Sequence, residues 1–246
     1  MPSRYVQIPS RDGEEFTAYF TAPPGKVSPG IVVIQEIFGI NPAMRAVAEQ
    51  YAALGFAVAV PDLFWRQEPG IEITDQSDEE WARAFELYKG FDETKGFEDM
   101  AMTLRWLRHQ DECTGASATL GFCLGGKLSY LAACGLDIEA AVGYYGVGIE
   151  TALDQARMIR GPLLLHVATE DEYCPAPAQK QIHEALDEHP KVTIETYAGC
   201  DHAFARPGGN HYNREAAILA DERTLAHLNE HLRPKPRIFP KPENSA

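Results

Sequence analysis

Residues 117–134 have the sequence SATLGFCLGGKLSYLAAC, which carries the strongest local signal in the chain. Its first seven residues are typical of a strand, and its last eleven fit a helix. Where the two meet, residues 121–125 (GFCLG) match the G-x-S-x-G nucleophile elbow, with cysteine in place of serine. Such a turn needs glycines because its backbone is strained and crowded. The stretch therefore predicts that Cys123 lies on a sharp turn between a strand and a helix.

Cys123 has two interpretations at this stage. A thiol at a helix N-terminus is a good nucleophile, because the backbone dipoles favour the thiolate. Free cysteine is also among the most buried residue types, so a purely structural thiol is the alternative. The flanking strand, glycines and helix favour the nucleophile.

Outward from this stretch, apolar runs alternate with helical patterns. Continuous apolar runs such as GIVVIQEIFG (30–39) are typical of parallel strands buried on both faces. The alternation predicts an α/β fold, with a mostly parallel, doubly wound sheet flanked by helices in one domain over 1–246. An antiparallel hairpin is predicted at 5–10 and 15–23, further strands at 56–64, 140–146, 162–168 and 191–199, helices at 42–54, 79–109 (interrupted at 90–96), 175–188 and 214–231, a loop at 66–78, and a loosely held Pro-rich tail at about 233–246.

Composition narrows the class of partner. The net charge of −14 argues against a nucleic-acid surface, which needs clustered Lys and Arg. No apolar run approaches the roughly 20 residues that span a bilayer, and residues 1–13 lack a signal-peptide core. Five cysteines without a CxxC pair favour reduced thiols. We therefore expect a cytoplasmic monomer that acts on a small molecule without a membrane, nucleic acid, metal or cofactor.

A thiol nucleophile needs a base, and the base needs an orienting acid. After an elbow these partners follow in the order Asp or Glu, then His. HVATEDEYCP and TYAGCDHAFAR each end a predicted strand with such residues. We take His202 as the base and Asp171 as its acid. Glu170 and Asp201 are competing acids, and His211 stays open as a base.

The other histidines are weaker candidates for the base. His166 lies within a buried strand and is interpreted as a hydrogen-bonded core residue. The remainder lie in or near predicted helices, where a solvated face explains them: His109, His183, His189, His227 and His231.

GFCLGGK, ATEDEYCPAP and GCDHAFAR, together with VVIQEIFGIN and AVGYYGVG, resemble the dienelactone hydrolase (carboxymethylenebutenolidase) family. The likeness covers about residues 5–232. It implies an α/β-hydrolase fold with Cys123, His202 and Asp171 as the catalytic triad. It also implies that Glu36 contacts the thiol in the resting enzyme and is displaced by substrate, so that His202 generates the thiolate. Without the resemblance, Glu36 is an ordinary loop acid.

The resemblance further implies an oxyanion hole made by the backbone N–H groups of Ile37 and Leu124. This agrees with the general geometry of one donor after the nucleophile and one from an early loop. Arg206 would hold the substrate carboxylate, and Tyr145 and Phe38 would line the pocket. From the sequence alone, Arg206 fits a solvated surface arginine equally well.

The sequence departs from the family pattern on the helix after the long loop. Where dienelactone-specific members carry a second carboxylate-binding arginine, this chain has Trp81, and a neighbouring family tyrosine aligns with Phe85. Arg83 points to a different side of a helix than position 81, and the sequence leaves open whether Arg83 or Arg105 reaches the pocket. The substitutions predict a less cationic, more apolar substrate pocket with Trp81 in its wall.

The resulting hypothesis is hydrolysis of an activated, dienelactone-like enol lactone through a Cys123 acyl-thioester, giving a maleylacetate-like product in aromatic catabolism. A broader carboxylesterase or thioesterase with the same triad is the alternative within enzymes. Two other classes stay open. One is a metal site, because Zn²⁺ favours ligands such as thiolates, imidazole and carboxylates; the other is a non-catalytic binding or sensor protein. The metal ligands would be Asp171, Cys174, Cys200 and His202.

Overall fold

The computed structural model describes residues 3–232 of the chain. Eight strands form one sheet, in which the first two are antiparallel to their neighbours and all later pairs are parallel. The order across the sheet is β1-β2-β4-β3-β5-β6-β7-β8. The strands are β1 (Ser3–Pro9), β2 (Glu15–Thr21), β3 (Ser28–Ile34), β4 (Ala57–Pro61), β5 (Cys113–Phe122), β6 (Ala140–Tyr144), β7 (Leu163–Ala168) and β8 (Val192–Tyr197).

Helices cover both faces of this sheet. They are α1 (Pro42–Ala53), α2 (Asp78–Lys89), α3 (Glu93–Arg108), α4 (Leu124–Gly135), α5 (Ala176–Leu186) and α6 (Arg214–His231), with a 3₁₀ segment at Ile149–Met158. On β3, Val32 belongs to the core cluster that includes residues of α2 to α5, whereas Val33 belongs to the cluster that includes residues of α1 and α6. Successive strand side chains point to opposite faces, so a strand buried on both sides must be apolar throughout. The predicted opening hairpin and mostly parallel α/β sheet are confirmed.

The structure differs from the predicted elements in two places. The break between α2 and α3 is shorter than residues 90–96, because the Asp92 side chain caps α3 by accepting the N–H of Lys95 at 3.0 Å. The 3₁₀ segment at Ile149–Met158 was not predicted. The segment begins after Gly148, whose φ of 85° turns the chain sharply. Hydrophobic periodicity does not reveal such a turn.

Two further expectations concern the ends and helices of the chain. The predicted loose tail at 233–246 lies outside the described residues. None of the helices formed by residues 3–232 is both long enough and apolar enough to cross a membrane.

Candidate active site

Cys123 lies at the junction of β5 and α4, on a backbone conformation that few residues adopt. Its φ and ψ are 55° and −114°, and it is the N-cap residue of α4. The Cys123 N–H donates to Tyr144 O at 3.1 Å, and the Cys123 carbonyl accepts the N–H of Gly126 at 3.0 Å. These bonds hold a strained turn in place, as expected where a side chain must be presented outward. The predicted strand–turn–helix elbow is therefore present.

The glycines of the elbow are required by close backbone approaches. A Cβ at Gly121 would collide with the carbonyl of Gly125, and one at Gly125 would collide with the carbonyl of Ile34 at the end of β3. The Gly125 N–H donates to Gln35 O at 3.2 Å, which ties the start of α4 to the loop after β3. The loop that carries Glu36 and the helix that follows Cys123 are thus held against each other.

Replacing Gly125 with alanine should destabilise the fold. The added methyl has no flexible neighbour to displace, because it meets backbone. Overpacking of this kind costs on the order of 3 kcal/mol, and we expect the free energy of unfolding to fall by about that amount in chemical denaturation. Gly135→Ala at the far end of α4 is the control, because its Cβ would meet only the Phe97 ring tip, at 3.1 Å. Equal stability of the two variants would contradict the argument.

His202 and Asp171 form a buried pair at the ends of β8 and β7. His202 Nδ1 lies 2.9 Å from Asp171 Oδ2. The other oxygen of Asp171 accepts the backbone N–H groups of Tyr173 at 2.8 Å and Cys174 at 3.2 Å. These three contacts fix the orientation of the Asp171 carboxylate. His202, in turn, lines the same cleft as Cys123, close enough for the sulfur to influence the charge of the imidazole.

The electrostatics of this arrangement favour a charged imidazole. Burial opposes the charge on His202, but a negative charge on Cys123 and the hydrogen bond that His202 donates to Asp171 outweigh it and raise the pKa of His202 to about 10. A protonated His202 beside a sulfur anion is an ion pair that can attack an electrophilic carbonyl and then return a proton to the leaving group.

The competing acids and bases occupy other positions. Glu170 is exposed and accepts a bond from its neighbour Thr169 at 3.1 Å. Asp201 accepts the backbone N–H of His202 at 2.6 Å and pairs with His211 at 3.4 Å. His211 Nδ1 contacts the backbone oxygen of His202, at 3.2 Å. Asp171 is thus the acid whose side chain meets the ring of His202.

His166 belongs to the core, as its strand position predicted. It is fully buried, and its ring nitrogens bond to Tyr197 Oη at 2.8 Å and Thr224 Oγ1 at 2.9 Å. Burial lowers the pKa of His166 to about 3, so the ring is neutral.

Ile37 and Leu124, the expected oxyanion donors, lie on the two segments that Gly125 joins. Neither N–H takes part in the backbone hydrogen bonds that the loops and helix caps of residues 3–232 make. Ile37 lines the same narrow cleft as Cys123, and Leu124 directly follows Cys123 as the first residue of α4. Backbone donors placed beside a nucleophile can stabilise a negative charge that forms on a carbonyl oxygen.

Glu36 and Arg206 contact each other across the cleft. Arg206 Nη1 donates to Glu36 Oε2 at 2.9 Å, and Arg206 Nη2 lies 3.0 Å from Asp75 Oδ2. Burial opposes the positive charge of Arg206, but Glu36, Tyr145 and Asp75 outweigh it and raise the pKa of the guanidinium. In this structure, therefore, the Glu36 carboxylate is bound to Arg206, which differs from the thiol contact that the family resemblance implies.

The walls of the cleft are largely aromatic. Trp81 lies edge-on to Phe38 with ring centroids 5.1 Å apart and stacks on Phe85 at 5.5 Å. The predicted residues Trp81, Phe38 and Arg206 all line the cleft. The complete lining is Glu36, Ile37, Phe38, Trp81, Phe85, Tyr88, Cys123, Val147, Tyr173, His202 and Arg206.

Three residues that the sequence named as possible pocket side chains lie outside this lining. Tyr145 is buried behind the base, edge-on to His202 with ring centroids 5.1 Å apart. Arg83 is on the surface and pairs with Glu68 and Glu86. Arg105 is exposed on α3. Neither arginine adds positive charge to the cleft.

Cys174 and Cys200, considered above as metal ligands, pack as buried thiols. Burial raises the pKa of Cys174 to about 12 and also raises that of Cys200. Within residues 3–232, no group of three or more His, Cys, Asp or Glu side chains is placed to hold a metal ion.

Three cleft residues were not predicted as site residues, namely Tyr88, Val147 and Tyr173, and neither was Asp75, which pairs with Arg206. Asp75 lies in the polar loop at 66–78, where it is one of several acidic residues and no sequence pattern distinguishes it from the others. Tyr173 packs edge-on to His202 at 4.9 Å, and its position two residues after Asp171 was the one signal for it.

Comparisons with known proteins agree with this geometry. A family model described as the dienelactone hydrolase family matches residues 16–232. A candidate carboxymethylenebutenolidase of Azospirillum brasilense is 42% identical over 236 residues, covering 92% of this chain and 98% of its own. The carboxymethylenebutenolidase of Pseudomonas putida is 36% identical over 223 residues, with 91% and 94% covered. A crystal structure of a candidate dienelactone hydrolase from Klebsiella pneumoniae superposes with a TM-score of 0.81 at 25% sequence identity. The superposition covers 93% of this chain and 98% of the Klebsiella chain. The predicted α/β-hydrolase fold is thereby confirmed.

Proposed function

The chain belongs to the dienelactone hydrolase family and is a hydrolase of lactone or ester bonds, and from this premise we propose that it opens activated enol lactones through an acyl-thioester on Cys123. The observation that carries the proposal is the meeting of Cys123, on its strained turn, with the buried His202–Asp171 pair. The name of the Pseudomonas putida relative supports a dienelactone-like substrate. The product would then be maleylacetate-like.

In the first half-reaction the Cys123 sulfur attacks the lactone carbonyl carbon. The carbonyl oxygen becomes an oxyanion, which the N–H groups of Ile37 and Leu124 stabilise. The ring C–O bond then breaks, leaving a thioester on sulfur and an enolate on the former ring oxygen. The enolate takes its proton from His202 and becomes the keto product arm.

In the second half-reaction the thioester is hydrolysed. His202, now neutral, removes a proton from water as the water oxygen attacks the thioester carbonyl. The C–S bond breaks and returns the thiolate beside the protonated His202, and the carboxylic acid product releases its remaining proton to solvent and leaves as a carboxylate. Asp171 holds the imidazole and stabilises its charged form throughout.

The choice of sulfur is consistent with an activated substrate. A thiolate is a better leaving group than an alkoxide, so the adduct with an ordinary ester tends to expel the thiolate and return to substrate. An enolate leaves readily and needs little help from a proton donor. Cys123 therefore favours enol lactones over unactivated esters and amides.

A broader carboxylesterase or thioesterase is the second candidate. It is favoured by the aromatic wall of Trp81 and Phe85, and by the pairing of Arg206 with two carboxylates. These features make the cleft less cationic than a site for an anionic lactone would be.

The substrate panel separates these candidates. We expect ring opening of cis- or trans-dienelactone, or of the neutral methyl ester of either, with a higher kcat/KM than p-nitrophenyl acetate. Saturated γ-butyrolactone should be slower than the enol lactones by roughly 10³-fold or more, because its alkoxide leaving group needs several kcal/mol more stabilisation. A p-nitrophenyl acetate value above those of all the enol lactones would favour the broader esterase.

A further inference from the structure

Asp75 occupies one arm of the guanidinium that would otherwise receive an anionic substrate. Arg206 Nη1 binds Glu36 and Nη2 binds Asp75, at 2.9 and 3.0 Å. The Arg206 side chain is 11% exposed, and those of Glu36 and Asp75 are 3% and 8% exposed. This pairing is therefore shielded from solvent and is stronger than an ion pair on the surface.

The third nitrogen of Arg206, Nε, does not offer a free binding face. Nε is buried without a hydrogen-bond partner, and a Cβ on Gly209 would lie only 3.0 Å from it. A carboxylate recognises arginine best through two parallel N–H donors. A substrate carboxylate that approaches the Nη1–Nη2 edge would consequently compete with Glu36, which is hydrogen-bonded there, and with Asp75, which is ion-paired there.

Asp75 is itself held in place by two neighbours. Its Oδ1 accepts the side-chain N–H of Gln76 at 2.6 Å, and its backbone oxygen accepts the indole N–H of Trp81 at 3.1 Å. The same residue thus orients the aromatic wall and the ion pair. The reaction steps proposed above do not use Asp75.

The charges beside the nucleophile do not favour an anion. Glu36 and Asp75 together carry two negative charges against the single positive charge of Arg206. Among the cleft-lining residues of the described chain, His202 supplies the other cationic group, and the charge of Cys123 balances it. Trp81 and Phe85 also line the cleft, and their stacked rings favour a flat apolar group.

We propose that Asp75 is a specificity-determining residue that occupies Arg206 and so makes the cleft select uncharged lactones and esters over substrates that carry a carboxylate. The proposal rests on the proposed function, because it assigns the charge of the substrate that the same thiol site accepts. Asp75 acts through Arg206 and makes no contact with the reacting atoms.

The test compares one lactone in two charge states, cis-dienelactone and its methyl ester. For the wild-type enzyme we expect kcat/KM to be higher for the methyl ester. In Asp75→Asn the ratio should shift toward the acid by roughly tenfold, through a lower KM rather than a higher kcat, because one like charge near the substrate carboxylate is removed. Asparagine keeps the side-chain shape and the acceptor for Gln76, and the backbone bond to Trp81 is unaffected.

Asp78→Asn is the matched control. Asp78 is exposed in the first turn of α2 and has no contact with Arg206, so its neutralisation removes one charge nearby without touching the pair. The ratio should stay at the wild-type value in this variant. An unchanged ratio in a folded Asp75→Asn enzyme, or a wild-type preference for the acid, would overturn the proposal.

Calorimetry separates failure of this proposal from failure of the proposed function. Binding of the acid and of the methyl ester is measured in Cys123→Ala and in the double variant with Asp75→Asn. If neither lactone is turned over by the wild-type enzyme, the proposed function fails. The charge proposal still stands or falls on whether Asp75→Asn tightens binding of the acid by about tenfold relative to the ester.

Discussion

Cys123→Ala is expected to reduce lactone ring opening by at least roughly 10⁵-fold in kcat, the scale of loss on removal of a catalytic nucleophile. The reason is that alanine cannot form the acyl-thioester, whereas the His202–Asp171 pair and the backbone donors remain. Residual turnover should reflect only binding and oxyanion stabilisation. Steady-state kinetics with an enol lactone measures the loss, and mass spectrometry of wild-type enzyme quenched during turnover should detect an acyl group on Cys123.

Cys134→Ala is the control for this experiment. Cys134 lies on the same helix, α4, and is buried, with its pKa raised by burial to about 11. Its loss should leave kcat unchanged, and iodoacetamide should modify Cys123 in preference to it. If Cys123→Ala kept more than a few per cent of wild-type activity, the thioester mechanism would have to be abandoned.

Asp171→Asn is expected to lower kcat by roughly 10³- to 10⁴-fold, the range for replacing the acid of such a triad. The backbone N–H groups of Tyr173 and Cys174 donate to Oδ1 of residue 171, so the amide oxygen of the asparagine must occupy that position. The new amide must then point its NH₂ toward His202 Nδ1 and donate to it. That bond forces the tautomer with a proton on Nε2, which cannot take a proton from the thiol or from water.

The pH profile of the same variant gives a second readout. In the wild-type enzyme the pKa of His202 is raised to about 10, so the protonated base persists through neutral pH and activity should fall only as the pH approaches 10. Removing Asp171 removes one of the groups that raise this pKa. The alkaline limb of kcat/KM should therefore move to lower pH.

Glu170→Gln is the matched control for the acid. It neutralises the neighbouring carboxylate, which is exposed and bonded to Thr169 rather than to the base. Both kcat and the alkaline limb should match the wild type. Loss of activity in Glu170→Gln, with retention in Asp171→Asn, would reverse the assignment of the acid.

Much of the fold and the nucleophile position could be predicted from the sequence because their causes are local. The run from β5 through Cys123 into α4 depends on residues adjacent in the chain. Gly121 and Gly125 must be glycines because a side chain at either position would collide with backbone. At Gly121 the collision lies within that same turn, and at Gly125 it lies at the end of β3. Apolar strands such as β3 are recognisable because burial on both faces leaves no position for a polar side chain.

The pairing of the charged groups was not predictable to the same degree. Glu170 and Asp171 are adjacent in sequence, yet one is exposed and the other nearly inaccessible, because successive side chains of the loop point in different directions. Asp75 lies in a polar loop that has no periodicity, and nothing in that segment marks it as a partner of Arg206.

The sequence by itself determined the α/β architecture, the elbow with Cys123 and the order in which His202 follows Asp171, since these depend on local sterics and on apolar patterning. Only the tertiary structure decided that Arg206 is bound by Glu36 and Asp75 rather than open to solvent. The physical reason is that an ion pair depends on the distance between side chains in space. Segments far apart in the chain meet at the carboxyl edge of the sheet, and there the charge of the cleft is set.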